Sequence, residues 1–428
     1  MQNRLNRKAA PSLRSLQSLK ITPPQKLQLD NDVPVYLWNM GTQEVAMIRL
    51  VFQAGRWHEQ HRLSAEFTAR MLREGTAQMT GKQLHNRIEY HGATLKSSAN
   101  KDYASITLFT LTKHLPYLLP VLKEILIEAN FPEKELQTIV QNSKQKLLVN
   151  LEQNDYLAQR HFNKSLFGDA HPYGYNVLAS DYDQVNVVAL KEFYQKSYLP
   201  NNCQIYIAGK LSEKEIGLVN RYLGATDWQK RPIEVEPIHT IPSYKAQTQY
   251  ISKKGSVQAA ICMGKPLFNK THPDYAAFFV LNTLFGGFFG SRLMSNIRED
   301  KGLTYGIYSS NISFLRAGYW SISTEVAEDA WEATRKEIFL EMNRLKNDLV
   351  EEEELTLVKS YLMGNLLSSV DGPFNLASAL EGTYMYGLDF AYLNKLISTI
   401  QQVTSNDLQA LACKYFDEEQ LTQIIVGK

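Results

Sequence analysis

The chain of 428 residues contains only three cysteines, Cys203, Cys262 and Cys413, and none stands in a Cys-x-x-Cys spacing. A set that is so sparse and odd in number argues against a disulfide framework and gives no cysteine metal site. Cys203 and Cys262 lie inside apolar, strand-like runs, so we interpret the cysteines as small buried hydrophobes. This usage is compatible with a reducing compartment.

The sequence also lacks a strong charge and a long apolar run. The formal net charge is +2, which gives no electrostatic reason to expect nucleic acid or an anionic membrane as a partner. Apolar stretches such as Ala276–Leu281 are far too short to span a bilayer. The composition, 44% hydrophobic and 21% charged, is that of an ordinary soluble protein, and the length favours two domains.

The first 29 residues have no apolar core of the kind that a secretory signal needs. They carry six Lys or Arg residues and no acid, which suits an organellar transit peptide and a plain basic arm equally in composition. We favour the basic arm and a bacterial cytoplasmic location. Periplasmic and mitochondrial locations stay open.

Recognisable catalytic motifs are missing as well. The sequence has no His-Glu-x-x-His or His-x-x-Glu-His zinc helix, no Gly-x-Ser-x-Gly elbow and no phosphate-binding loop. The nearest fragment is His58-Glu59-Gln60-His61, whose histidines are three residues apart in a polar stretch, so we interpret it as a solvated loop. The glycines of Leu284–Ser291 lack the Lys-Ser/Thr ending of a phosphate cradle. They favour a tight bend or a close backbone approach to something bound.

What the sequence does contain is an internal repeat. Val185–Lys210 aligns without gaps on Val403–Lys428, at an offset of 218 residues. Both segments end in Gly-Lys. Each reads as an amphipathic helix, a polar turn and a short β-branched strand.

The order of predicted elements repeats too. Each half opens with apolar strands, continues with helices and a strand pair, and closes with long helices, which predicts an α+β fold of two homologous α/β sandwich domains. The prolines of Gln229–Ala246 indicate a linker, so we expect domains at 1–228 and 247–428 joined by 229–246. We predict a helix capped by Thr80 and stopped by Gly92, and a helix break at Asp371-Gly372-Pro373.

One segment of the first half, Ala54–Thr76, resembles the zinc-helix region of pitrilysin/insulinase-type metallopeptidases, which include the mitochondrial processing peptidase. In that family a His-x-x-Glu-His helix ends in Met-Leu, shortly before Gly-Thr, and both dipeptides are present here. The family's four zinc-site positions, two histidines, the catalytic glutamate and a downstream glutamate, are all replaced. They fall on Glu66, Arg70, Ala69 and Lys146.

The resemblance therefore implies a metallopeptidase-like fold with a degenerate zinc site. Glu66 and Arg70 stand at i,i+4 in the favourable acid-first order. A nearby Lys146 disfavours Zn²⁺, and no general base is left to activate water. A solvated helix face is the plainer interpretation of the Glu66–Arg70 pair.

In the second half, Phe285–Ser310 is similar to the family's C-terminal motif, in which an Arg and a Tyr hold the substrate and stabilise the polarised carbonyl. The matching residues are Arg298 and Tyr305. Arginine offers a planar set of donors, and a tyrosine hydroxyl can donate to a developing oxyanion. We expect Arg298 to end a helix, Gly302 to form the turn and Tyr305 to lie on a strand. A helix-end cation and an edge-strand aromatic are the plainer alternatives.

The resemblance implies a non-catalytic, zinc-free subunit of a heterodimeric zinc metallopeptidase. A homologous partner with His-x-x-Glu-His would hold the zinc, and this chain, without a cofactor of its own, would contribute Arg298 and Tyr305 to a peptide substrate. The alternative is a structural or peptide-binding scaffold of the same fold. The presence of both Arg298 and Tyr305 weighs against it. No residue spacing supports a self-sufficient enzyme with another nucleophile or metal.

Overall fold

The computed structural model of the protein describes residues 21–232 and 236–427. Within these ranges the strands form two sheets, with the orders β1-β2-β6-β3-β5-β4 and β7-β11-β8-β10-β9. The first sheet comprises β1 Gln25–Gln28, β2 Pro34–Asn39, β3 Val45–Phe52, β4 Thr94–Ala99, β5 Ala104–Leu111 and β6 Cys203–Gly209. The second comprises β7 Thr248–Ile251, β8 Gln258–Leu267, β9 Thr304–Ser313, β10 Gly318–Ala327 and β11 Thr422–Val426.

Helices follow the strands in each half. Those of the first half are α1 Ser64–Met71, α2 Gly81–Tyr90, α3 Leu115–Glu128, α4 Glu133–Asn150, α5 Asn154–Phe167, α6 Ala179–Tyr182, α7 Val187–Ser197 and α8 Glu213–Leu223. Those of the second half are α9 Tyr275–Asn282, α10 Trp331–Asn347, α11 Glu352–Ser369, α12 Gly372–Tyr384, α13 Phe390–Gln402 and α14 Ser405–Tyr415. Two wide, π-type helical turns, Thr283–Gly287 and Met294–Asp300, lie between α9 and β9.

The two sheets share one topology once β1 is set aside. Each begins with a parallel pair, β2 with β6 and β7 with β11, and each continues through three antiparallel neighbours. The final strand at the opposite edge is β4 in one sheet and β9 in the other. The predicted α+β fold of two homologous sandwich domains is therefore confirmed.

The sequence repeat corresponds to a structural repeat. The offset of 218 residues maps α7 onto α14 and Gly209 onto Gly427. These glycines adopt φ values of +132° and +105°, which side chains rarely adopt. A Cβ would lie 2.1 Å from the Val45 carbonyl oxygen at Gly209, and 2.4 Å from the Gln258 carbonyl oxygen at Gly427. The repeated glycine is thus needed where the last strand passes close to its neighbour.

Each half covers the sheet of the other half with one helix. Helix α5 packs across β8 and β11, with the Phe162 ring 5.7 Å from that of Tyr319. Helix α12 packs across β6 and β2, with the Tyr384 ring stacked on that of Tyr36 at 4.6 Å. These exchanged helices bury both faces of each sheet, which explains why strand β3 reads as a nearly continuous apolar run.

The predicted helix ends are confirmed. The Thr80 hydroxyl accepts a hydrogen bond from the Gln83 amide, and the Gln83 side chain accepts one from the Thr80 amide, so a capping box begins α2. Gly92, with φ +61°, follows the end of α2. Gly372, with φ +77°, begins α12 directly after the break that Pro373 enforces.

The predicted linker has no regular secondary structure at 229–232 and 236–246, whereas 233–235 lie outside the described residues. It is held by both halves, since the His239 ring contacts the Trp57 carbonyl oxygen at 2.9 Å and the Tyr244 hydroxyl donates to the Gln420 carbonyl oxygen at 2.6 Å. The residue limits of the two domains stay a prediction. Residues 1–20, most of the predicted basic arm, are likewise outside the described part.

The cysteines follow the sequence interpretation in two of three cases. Cys203 and Cys262 are buried, but Cys413 is exposed on α14, so its interpretation as a buried hydrophobe was wrong. Among the described residues, no helix combines the length and the apolar character needed to cross a membrane.

Candidate functional site

Three of the four degenerate zinc positions line one open pocket. Glu66 and Arg70 reach it from α1, and Lys146 from the facing helix α4. An Arg70 guanidinium nitrogen lies 3.5 Å from Glu66 Oε1 and donates to Ser143 Oγ at 2.6 Å. The predicted pair therefore exists, and it is tied to α4 through Ser143.

The fourth position, Ala69, is completely buried on α1. Its methyl group packs in the protein interior and cannot take a proton from water. The pocket presents one carboxylate, already paired with a guanidinium, together with a second cation. Zn²⁺ requires several neutral or anionic donors, so these residues do not fit the metal. In the part of the chain that the structure describes, no three His, Cys, Asp or Glu residues are grouped so that they could hold a metal ion.

The fragment His58–His61 is not the solvated loop that the sequence suggested. Glu59 Oε1 accepts a hydrogen bond from the Ala65 amide at the start of α1, and Glu59 Oε2 accepts one from the Tyr175 hydroxyl at 2.6 Å. Burial raises the pKa of Glu59. Burial, with the nearby Arg316 charge, lowers the pKa of His58 to about 4. The interpretation was wrong for these two residues, which support the beginning of α1, and right for the exposed Gln60 and His61.

Arg298 and Tyr305 lie on neighbouring elements of the second half. Arg298 belongs to the last turn of Met294–Asp300, and Tyr305 is the second residue of β9. Between them Gly302 adopts φ +62°, as expected for the turn. The helix is wider than the regular α-helix that the pattern suggested.

The Arg298 guanidinium is held by aromatic rings. Its Cζ atom lies 4.5 Å from the centre of the Phe289 ring and 5.3 Å from that of Tyr305. Tyr305 is 90% exposed and Phe289 is 59% exposed. The Arg298 side chain forms no ion pair or hydrogen bond within the described residues, so its five N–H donors are available to a ligand.

Phe289 is the residue that sequence reasoning missed. Its signal was an aromatic pair inside a glycine-rich run, only nine residues before Arg298. The run packs against β9, because a Cβ at Gly286 would lie 2.7 Å from Ser309 Cβ and 2.9 Å from Leu293 Cδ1. The close approach expected of the glycines is thus made to this chain's own strand, and it leaves Phe289 at the surface beside Arg298.

The zinc-position pocket and the Arg298–Tyr305 pair lie on either side of the first turn of α5. Tyr156 lines the pocket that contains Glu66 and Arg70. Its neighbour Asp155 lines a second pocket, with Tyr305 and Glu325. The two pockets share no lining residue. The structure brings Glu66, Arg70 and Lys146 together, brings Arg298 and Tyr305 together, and separates the two groups by one helical turn.

Comparison with known proteins identifies the family. Residues 35–171 match the model described as insulinase (peptidase family M16), and residues 184–362 match that of the peptidase M16 inactive domain. The chain belongs to the M16 peptidase family. Because the zinc motif is replaced, it is an inactive-type member.

Relatives of this M16 chain carry mixed names. It is 23% identical over 399 residues to the uncharacterized zinc protease YmxG of Bacillus subtilis, covering 92% of this chain and 96% of that protein. It is 24% identical over 410 residues to the non-peptidase homolog YmxG of Helicobacter pylori, covering 92% of each. A crystal structure of a peptidase M16 inactive domain from Pseudomonas fluorescens superposes with a TM-score of 0.86 at 25% identity, covering 94% of this chain and 98% of that one.

Proposed function

We propose that this chain is the non-catalytic subunit of a heterodimeric zinc metallopeptidase. The observation that carries the proposal is the unpaired Arg298 guanidinium, held at the surface between Phe289 and Tyr305. A scaffold gains nothing from an exposed arginine without an acidic partner, whereas a peptide supplies carbonyl oxygens that match its donors. The replaced zinc ligands of the first half make a metal-bearing partner necessary.

In this proposal the partner supplies the His-x-x-Glu-His zinc site, and this chain supplies groups for binding and charge stabilisation. Arg298 donates to a backbone carbonyl or carboxylate of the peptide. The Tyr305 hydroxyl donates to the oxygen that becomes negative when the scissile carbonyl is attacked. Strand β9 lies at the edge of its sheet, where an extended peptide can pair with it and pass beside Tyr305.

The test compares peptide hydrolysis by this chain, by a homologue that carries the zinc motif, and by their mixture. We expect activity only in the mixture or a large gain on mixing. Tyr305→Phe should lower kcat of the mixture by about a hundred-fold, the usual effect of removing one oxyanion donor. Tyr90→Phe is the matched control, because Tyr90 is equally exposed at 86% but lies on α2.

Chelator-sensitive hydrolysis by this chain alone would contradict the proposal. An active mixture that is unaffected by Arg298→Ala and Tyr305→Phe would favour the structural or peptide-binding scaffold instead. A bacterial cytoplasmic location remains part of the proposal, supported by the sparse cysteines.

A further inference from the structure

The pocket at the former zinc position has a chemistry of its own. It is an open cavity of about 390 Å³ between α1, α4 and the beginning of α5. Glu66, Arg70 and Lys146 are its charged residues. Its uncharged polar lining is formed by Asn142, Ser143, Asn150, Tyr156 and Tyr182.

Positive charge is in excess in this pocket. The single carboxylate, Glu66, is paired with Arg70 at 3.5 Å. Lys146 has no acidic partner within the described residues. Its neighbour on the same helix, Lys144, is instead paired with Asp183 at 2.6 Å, so α4 has a carboxylate for one lysine and leaves the other facing the pocket. An anion that enters would meet an ammonium group whose three donors are not used.

Arg70 is already oriented for such a ligand. One nitrogen of its guanidinium is occupied by Ser143 Oγ and Glu66, and the ring of Phe67 lies 5.5 Å from its Cζ atom. These contacts hold the planar group in place, so fewer side-chain rotations are lost when a ligand binds. The amides of Asn142 and Asn150 add neutral donors at the rim.

We propose that this pocket binds the carboxylate of a peptide, with Lys146 and Arg70 as its cationic ligands. In a zinc peptidase the metal at this position attracts a peptide carbonyl oxygen. Here fixed cations take that place, and a full negative charge suits them better than a neutral carbonyl. Hydrolysis of a peptide bond creates a new C-terminal carboxylate, so the ligand class is that of a cleavage product. Only this choice of a peptide as the carrier rests on the proposed function.

The test uses the full chain without any partner. Fluorescence anisotropy measures binding of a fluorescein-labelled nonapeptide with a free C-terminus, of its C-terminal amide, and of the amide with one internal aspartate. We expect the free acid to bind about ten-fold more tightly than the amide, the worth of one charge-assisted hydrogen bond. The aspartate peptide distinguishes a side-chain carboxylate from a terminal one.

Lys146→Gln should abolish the preference for the free acid. Lys144→Gln is its matched control, because it changes the net charge equally on the same helix but away from the pocket. Equal binding of acid and amide, or equal losses in both variants, would overturn the proposal. Circular dichroism checks that both variants are folded. Since no hydrolysis is measured, failure here leaves the proposed function untouched, and an inactive mixture leaves this binding result standing.

Discussion

The two halves of the molecule share a strand order but differ in the helical segment that follows their first long strand. In the first half, α1 is a regular helix whose buried residues pack in the core while Glu66 and Arg70 face a pocket. In the second half, α9 continues into two wide helical turns, and the last of these presents Arg298 beside exposed aromatic rings. The same fold thus presents different chemistry in its two copies.

The difference teaches that the fold and the zinc chemistry depend on different residues. Phe67 and Met71 are fully buried and hold α1 in place. Glu66 and Arg70 keep side-chain exposures of 44% and 36%. Side chains at such positions contribute little to stability, so ligands can be replaced by a surface ion pair while the helix remains.

The sharpest way to break the comparison is to restore the metal ligands. The triple variant Glu66→His, Arg70→His, Lys146→Glu should bind one equivalent of Zn²⁺, a gain of several orders of magnitude in affinity, because it rebuilds two imidazoles and a carboxylate around one pocket. Isothermal titration calorimetry measures it. The double variant that keeps Arg70 is the control and should bind weakly. A folded triple variant without zinc affinity would show that the backbone, and not the side chains alone, differs from that of a zinc site.

The next effect tests what the halves share. Gly209→Val and Gly427→Val should each destabilise the protein by roughly 3 kcal/mol or more, because a Cβ at either position meets a neighbouring carbonyl oxygen and the backbone is strained. Thermal unfolding measures the loss. Gly217→Ala on α8 is the control, since nothing lies within 4 Å of its Cβ position, and it should be neutral or stabilising. If only one of the two strand glycines proves sensitive, the structural equivalence of the repeats is wrong in that half.

A pH effect is expected from His58, which has no counterpart among the features repeated in the second half. Its pKa is lowered to about 4 by burial and Arg316, from an ordinary value of 6.5, so the unfolded chain binds the proton more readily. Stability is therefore fully present above pH 6.5 and falls as the pH drops towards 4, by at most about 3 kcal/mol from this group.

His58→Asn should flatten the dependence of the unfolding free energy on pH in this window, as measured by urea denaturation at several pH values. Gln60→Ala, two residues away, introduces no ionisable group and serves as the control. An unchanged pH profile in the His58 variant would place the titrating group elsewhere.

The smallest effect sharpens the role of Phe289. Phe289→Leu should lower turnover of the two-subunit mixture about five-fold, because it removes one of the two rings that hold the Arg298 guanidinium. Phe289→Tyr keeps the ring and should restore turnover, which a merely bulky apolar side chain would not do. If leucine serves as well as phenylalanine, Arg298 does not depend on this ring.

Much of the local structure could be predicted from the sequence. The capping pair at Thr80, the stop at Gly92 and the break at Gly372-Pro373 are determined by dihedral preferences and short-range hydrogen bonds, which a few adjacent letters encode. The 218-residue repeat reports the shared strand order for the same reason, since its helix, turn and strand are local patterns. The replaced zinc ligands were likewise visible as side-chain chemistry at known positions.

Tertiary structure alone decided which distant residues meet. No local pattern shows that α5 and α12 are exchanged between the sheets, or that Glu59 is buried against Tyr175 and α1. Nor does the sequence show that Lys144 finds an acid while Lys146 does not, or that Phe289 lies over Arg298. The sequence by itself determined the elements, their repetition and the loss of the zinc ligands. Packing determined which charges stay unpaired, because burial and pairing depend on contacts between residues far apart along the chain.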